Sequence, residues 1–281
     1  MYFSKIKSYA KINLALNITG KTSSLHKIES IVAFVNLFDE ILIKQINSKK
    51  HNVSFSGKFS QNIGKDNTIT KLLKLLDKRN LLNYKKFHIK VKKQIPIKAG
   101  LGGGSMNAAN VLKYFVEKKF IKITKKELVK ISRLIGSDVI LGIKSTNSIL
   151  SPKNNIKYFT NCKKFHILIV KPNFGCSTKD IYSRVNKFNK PKFNKPKKKM
   201  FSLDYLKKMN NSLEPIALFK YPKLGKIKSF LESLSKPVFV RMTGSGSALV
   251  AYFTSKERCN NAKKYFNKKY KNYWCITSKT I

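Results

Sequence analysis

Several things are scarce in this chain of 281 residues, and each scarcity excludes something. Only 13 residues are acidic, against 59 Lys and Arg. Arginine is itself rare, confined to Arg79, Arg133, Arg184, Arg241 and Arg258. The four cysteines, Cys162, Cys176, Cys259 and Cys275, show no C-x-x-C spacing, and a single histidine, His166, stands near one of them without the further ligands a metal site needs. That pattern argues against zinc and for reduced cytoplasmic thiols. The longest apolar runs, IVAFVNLF and HILIV, fall far short of the roughly 20 residues a membrane span needs. With 8 prolines, 42% hydrophobic and 11% aromatic residues, the chain has the makeup of a globular protein rather than a disordered one. The opening MYFSKIKSYAKINLALNITG is basic and then apolar, but Asn13 and Asn17 interrupt any signal core and no small-residue cleavage pattern follows, so it reads as mature structure.

The formal net charge of +46 invites a nucleic-acid reading, since lysines that neutralise phosphates release counterions. Arginine, the better tool for bidentate phosphate and guanine contacts, is nearly missing. Lysines run from end to end beside many asparagines and isoleucines, as in the product of an AT-rich coding sequence. A generally basic, solvated surface is therefore the competing reading.

The length suits two domains. In SYAKINLALNIT, Ala10, Ile12, Leu14, Leu16 and Ile18 share one face while Lys11, Asn13 and Asn17 share the other, which predicts a half-buried strand. EILIKQI and FHIKVKKQI read as further strands, and TITKLLKLLDKRNLL has helical spacing. A helix follows the glycine stretch after Pro96, capped by Ser105 or a close neighbour. A second starts at Thr124, with Glu127 completing a capping box. The polar stretch STNSILSPKNNIKYF marks a boundary, giving domains 1–155 and 156–281. Beyond it come a strand at FHILIVKP, a mobile Lys/Pro-rich connector VNKFNKPKFNKPKKKM, and then helix, strand, strand, helix and strand. The class is α+β.

Three places invite chemistry. The stretch AGLGGGSMNAAN, Ala99 to Asn110, holds four of the 13 glycines within five positions. A glycine-rich loop leading into a helix N-terminus offers unpaired N–H groups and a helix dipole to an anion. The Walker pattern is absent, the dinucleotide fingerprint is poor, and a ligand-free turn is the alternative. Asp138, in LIGSDVILGI, is a scarce carboxylate among apolar residues that must be capping, paired or functional. A general base acting on a hydroxyl is the functional reading. In RMTGSGSALVAYF, Gly244 and Gly246 alternate with hydroxyl residues, an ordinary hairpin turn when taken alone. Taken with the first loop, it suggests a second glycine-lined wall around a phosphorylated ligand.

Together YAKINLALNITGK, PIKAGLGGGSMNAA, GSDV, NSLEP and RMTGSGSA resemble, in order and over nearly the whole chain, the motif set of the GHMP small-molecule kinases. The resemblance implies an N-terminal domain like the ribosomal S5 domain-2 fold, a ferredoxin-like C-terminal domain and an active site between them. The branch most similar phosphorylates the 2-hydroxyl of 4-diphosphocytidyl-2-C-methyl-D-erythritol in non-mevalonate isoprenoid biosynthesis. The implied reactants are that cytoplasmic small molecule and ATP with Mg2+; no metal-ligating residue is assigned, and the residues themselves favour a solvated basic surface over a membrane or nucleic-acid partner. By position Lys11 and Asp138 match the catalytic pair. Pro96, Ile97, Lys98, Ala99, Gly100, Leu101, Gly102, Gly103, Gly104 and Ser105 match the ATP-phosphate loop, and Asn67 and Lys93 match positions near adenine. Asn13 and His26 match substrate contacts, with His26 at the cytosine end. Thr178 matches a pocket position, Tyr182 an aromatic that stacks on cytosine, and Gly244 and Ser245 the substrate side of the last motif.

The chain departs from the family where Gly-Tyr-His is replaced by Ser24-Leu25-His26, where the second loop serine is Met106, and where a proline is Ile140. Leu25 offers apolar contact but no π-stacking. Two other functions are open to this sequence. One is a kinase of the same superfamily acting on another alcohol, such as homoserine or mevalonate; the other is an RNA-binding protein without kinase activity.

Overall fold

The structure is a computed structural model that describes residues 2–23, 25–153 and 155–281. Two long strands open the chain, β1 (Ser4–Lys21) and β2 (His26–Ile46), and they pair with each other. In chain order there follow β3 (Asn52–Ser56), α1 (Thr68–Lys78), β4 (Lys86–Lys92), α2 (Gly103–Glu117), α3 (Lys125–Ile135) and the short α4 (Val139–Gly142). Then come β5 (Ser148–Leu150), β6 (Ile156–Tyr158), β7 (His166–Lys171), α5 (Thr178–Ser183), α6 (Leu203–Lys207), α7 (Glu214–Lys220) and α8 (Pro222–Ser233). The chain ends with β8 (Phe239–Met242), β9 (Leu249–Phe253), α9 (Lys256–Lys269) and β10 (Trp274–Lys279). It divides into two compact units, residues 1–10, 37–97 and 102–145, and residues 11–36, 98–101 and 146–281. The long β1 and β2 run through both, so the units interleave along the sequence.

In the first unit the later half of β2 pairs antiparallel with β4, and β4 pairs parallel with β3. The helical spacing of α1 buries Leu72, Leu73 and Leu76, which pack with Ala108, Leu112 and Phe115 of α2 and with Phe87, Ile89 and Val91 of β4. Each such large side chain contributes roughly 1.5–3 kcal/mol by leaving water. Helix α3 starts as its sequence predicts, with Thr124 and Glu127 in a reciprocal capping box. Asn67 caps α1 in the same way with Thr70. Helix α2 differs from expectation: its N-cap is Gly102, at φ 70°, with no side-chain cap, and Ser105 lies inside the first turn. The chain enters this helix through a left-handed residue, a conformation that favours glycine over serine.

In the second unit β10, β7, β9 and β8 form a four-stranded antiparallel sheet. Leu168, Val170, Leu249, Ala251 and Phe253 of that sheet pack with Leu224, Ile227 and Leu231 of α8 and Cys259, Ala262 and Phe266 of α9. The stretch expected only as a turn-rich boundary contains β5 and β6, because the first half of β2 has a free edge on which Ile149 pairs opposite Ile31.

The half-buried strand is buried on both faces: every residue from Lys11 to Ile18 is shielded. Its polar side chains are hydrogen-bonded rather than wet. Asn13 Nδ2 donates to Ser30 Oγ at 2.8 Å, and Asn17 Nδ2 donates to Glu29 Oε1 at 2.6 Å. A period of two shows which face is more apolar, but it is silent on what covers the other.

The connector is pinned, against the expectation of mobility. The wholly buried carboxylate of Glu29 accepts the main-chain N–H groups of Lys192 at 2.7 Å and Phe193 at 2.8 Å. Asn189 N–H donates to Ile18 O at 2.9 Å, and Asn17 Nδ2 to Lys190 O at 3.1 Å. Phe193 is buried beneath the segment. Low-complexity composition is overridden by one buried acceptor and one buried ring.

Glu29→Ala strands the N–H groups of Lys192 and Phe193, each worth roughly 1–3 kcal/mol when buried and unpaired. Chemical denaturation should show a loss of about 3 kcal/mol, and limited proteolysis should then cut within 186–197. Burial is the first cause that lowers the pKa of His26, His51 and His88, with nearby lysines adding to it; at His51 the Asp77 carboxylate opposes the shift. The unfolded chain therefore binds more protons just below the ordinary imidazole value of about 6.5. Thermal melts should show stability falling as pH drops from about 6.5 toward 5.

Candidate active site

In the first unit the start of α2 rests on a buried carboxylate. Asp39, wholly buried near the middle of β2, accepts Gln94 N–H at 2.8 Å and Ile95 N–H at 2.9 Å through Oδ1. Its Oδ2 accepts from Asn107 Nδ2 at 2.9 Å and from the Lys93 ammonium. One side chain thus ties β2, the turn after β4 and the first turns of α2. A Cβ on Gly103 would stand 3.1 Å from Ile95 Cγ2 and 3.2 Å from Lys93 Nζ, so Lys93 lies against that helix start. Thr68 Oγ1 donates to Gly104 O at 2.6 Å, which brings the capped start of α1, and Asn67 with it, to the same place. Asn67 also lines a cavity of about 580 Å³ with Val53, Phe55, Ile63 and Leu73.

With no side-chain cap, the first N–H groups of α2 are left for water or an anion, and the helix dipole favours the anion. Beside them, a Cβ on Gly136 would lie 3.9 Å from Ser105 Oγ. That turn leads to the half-buried Asp138, the N-cap residue of α4, whose side chain makes no capping hydrogen bond. Capping, the plain explanation for this carboxylate, is not its role. Met106 is fully buried, and a Cβ on Gly142 would come within 3.0 Å of its sulfur. The exchange of a family serine for Met106 therefore fills the joint between α2 and α4.

In the second unit the residues of the other motifs converge. Gly100, at φ 73°, leaves no space for a side chain, because a Cβ would stand 1.9 Å from Thr243 O. Ala248 N–H donates to Ala99 O at 3.2 Å, and Ser247 N–H to Lys98 O at 3.3 Å. The last motif is thus no opposite wall to Lys98–Leu101 but lies directly against it. Thr243 Oγ1 donates to Gly100 O at 3.2 Å and accepts Asn13 N–H at 3.0 Å. Lys11, 3% exposed, donates from Nζ to Asn13 Oδ1 at 2.8 Å, and its N–H bonds Leu101 O at 3.0 Å. Gly244 packs on Gly100, Ser245 Oγ lies 2.9 Å from Thr178 Oγ1, and the rings of His26 and Tyr182 stand 5.2 Å apart. Ser24 lies outside the described residues, and Leu25 is 69% exposed.

The residues that hold these parts carry no role that their motif or composition alone assigns. Asn211 Nδ2 donates to Met242 O and Gly244 O, both at 2.8 Å, and Glu214 Oε2 accepts Met242 N–H at 2.5 Å. The motif NSLEP therefore clamps the second glycine loop. Arg241 donates to the carbonyls of Leu14, Leu206 and Met209. The signal for Asp39, Glu29 and Glu214 was the one that singled out Asp138, a rare carboxylate set among apolar residues.

Comparison with known proteins agrees with this arrangement. The family model of the GHMP kinases N terminal domain matches residues 67–149, and that of the GHMP kinases C terminal matches residues 197–272. Fold and motifs together define a GHMP kinase. A 4-diphosphocytidyl-2-C-methyl-D-erythritol kinase of Pelagibacter ubique (strain HTCC1062) is 60% identical over 277 residues, covering 99% of both chains. That of Anaplasma marginale (strain Florida) is 30% identical over 277 residues, covering 96% of this chain and 94% of its own. The crystal structure of a 4-(cytidine 5'-diphospho)-2C-methyl-D-erythritol kinase shares the fold with a TM-score of 0.79 at 21% identity, covering 99% of each chain. The L. major mevalonate kinase does so with a TM-score of 0.74 at 14% identity, covering 99% of this chain and 95% of its own. The chain belongs to the 4-diphosphocytidyl-2-C-methyl-D-erythritol kinase family of GHMP kinases.

Asp39→Asn leaves the Lys93 ammonium buried without its counter-charge, a loss of about 3–5 kcal/mol. Denaturant titration should show that loss, and the double variant Asp39→Asn/Lys93→Met should recover more than half of it.

Proposed function

We propose that the chain transfers the γ-phosphoryl group of ATP to the 2-hydroxyl of 4-diphosphocytidyl-2-C-methyl-D-erythritol, in the non-mevalonate route to isoprenoids in the cytoplasm. The observation that carries this reading is the glycine-built, uncapped start of α2, held from below by Asp39, in a chain 60% identical to a kinase of that name. Bare main-chain N–H groups at a helix N-terminus suit the phosphates of ATP, where side chains would block the approach. Asn67, beside the cavity in the first unit, serves the adenine end. Lys93 acts there through position, since its ammonium is already engaged by Asp39.

Asp138 takes the proton of the attacking hydroxyl, a role that suits a half-buried carboxylate not used as a cap. Lys11 favours the ionised carboxylate and the developing alkoxide, and Asn13 orients the Lys11 ammonium. His26 and Tyr182 receive the cytosine. Phosphoryl transfer needs little covalent chemistry from the protein, so positioning and charge stabilisation dominate. Mg2+, carried in with the nucleotide, would supply charge neutralisation for the transfer and would keep most of its ligands from water and phosphate. Among the described residues no group of three or more His, Cys, Asp or Glu gathers into a metal cage.

A coupled ADP-release assay with the diphosphocytidyl alcohol should give turnover, and none above background overturns the assignment. Asp138→Asn should lower kcat by about 10²-fold or more with the melting temperature unchanged. Retained activity in that variant removes Asp138 from the role of base.

A further inference from the structure

The pentapeptide Phe-Asn-Lys-Pro-Lys occurs twice in tandem, at 188–192 and 193–197, and its two phenylalanines have opposite environments. Phe193 is 1% exposed, whereas Phe188 is 48% exposed. A ring on a loose segment could turn inward to leave water, as the hydrophobic effect favours. This segment is not loose. Asn189 N–H is bonded to Ile18 O at 2.9 Å, Asn189 Nδ2 to Ser212 Oγ at 3.0 Å, and Lys190 O to Asn17 Nδ2 at 3.1 Å. The chain next to Phe188 is pinned through both main-chain and side-chain bonds, which fixes the point from which the 48%-exposed ring projects.

The ring is held beside other aromatics. Phe188 and His26 have centroids 6.4 Å apart at 51°, and His26 stands 5.2 Å from Tyr182 at 47°. The His26 Nε2 atom is buried and has no hydrogen-bond partner among the described residues. A buried polar atom without a partner is an exception that native proteins keep for a reason. Burial first, and the charge of Lys21 second, hold the His26 pKa below its ordinary value, which favours the neutral ring with one donor and one acceptor nitrogen. Two aromatic faces and an unsatisfied imidazole are what a flat heteroaromatic base requires, stacking from the rings and hydrogen bonding from the edge. Leu25 supplies neither. It closes a turn in which Thr22 N–H donates to Leu25 O at 2.7 Å and Leu25 N–H to Thr22 Oγ1 at 3.1 Å, and its side chain is mostly in solvent.

We propose that Phe188 is a specificity-determining residue of this kinase, an aromatic wall that joins Tyr182 and His26 to grip the pyrimidine base of the substrate, in place of the aromatic residue that Leu25 replaces. The proposal rests on the functional reading above only in that the acceptor alcohol carries a cytidine diphosphate. The wall is delivered by the connector and fixed by Asn17, Ser212 and Ile18, so the low-complexity segment becomes part of the recognition apparatus.

The test is titration of the full-length protein with CDP alone, beside steady-state kinetics with the diphosphocytidyl alcohol and ATP. Phe188→Ala should raise the Kd for CDP and the KM for the alcohol about tenfold, the lower range of base–aromatic stacking, with the KM for ATP within about twofold. Phe188→Tyr should restore wild-type values, and Phe188→Leu, apolar without a π face, should restore only part. Because the ring is exposed, the unfolding midpoint of Phe188→Ala should match wild type, whereas Phe193→Ala should lower it. Wild-type turnover with unchanged CDP affinity in Phe188→Ala overturns the proposal and leaves the kinase assignment standing. CDP binding that depends on Phe188, without turnover of the diphosphocytidyl alcohol, overturns the assignment and leaves the proposal. A wild-type protein that does not bind CDP overturns the proposal, whatever its turnover.

Discussion

The Asp39 carboxylate organises the first unit. It satisfies two consecutive main-chain N–H groups after β4, neutralises Lys93 and bonds the Asn107 amide of α2. A buried ion pair of this kind adds little to stability relative to an apolar replacement, yet breaking half of it is costly. Its yield is geometric. The start of α2 is fixed to the sheet by contacts made from inside, and no side chain caps its first N–H groups.

The second unit solves a similar problem with main chain against main chain. Gly100 lies so close to Thr243 that no side chain fits between them, and Thr243 in turn bonds Asn13 and, through it, the Lys11 ammonium. Asn211 and Glu214 hold the far side of the same loop by its carbonyls and its amide. Asn13, which orients the Lys11 ammonium, is thus itself held by Thr243 and Ser30.

The charge imbalance acquires a structural meaning in this light. Of the 13 acidic residues, Glu29, Asp39 and Glu214 are buried, and each accepts main-chain N–H groups. In a chain so rich in lysine, these three carboxylates stand where the interior needs an anion. The lysines are the solvated majority, and several cover aromatic rings with their stems and ammonium groups, as Lys90 does Phe3 and Lys269 does Phe230.

Much was legible in the residues alone. The alternation around Ile12, the spacing of Leu72, Leu73 and Leu76, and the Thr124–Glu127 box depend only on local periods and local hydrogen bonds, which are written in neighbouring residues. The order of the glycine and aspartate motifs named the family for the same reason, since main-chain approach to phosphate demands glycine at particular positions. Tertiary structure alone decided that Lys11 and Asn13 are buried, that Gly102 and not Ser105 begins α2, and that the last glycine loop rests on the first. It also decided that two identical pentapeptides place one phenylalanine in the core and the other at the surface. Burial and partnership depend on what arrives from distant parts of the chain, and a short stretch of sequence carries no record of what will cover it.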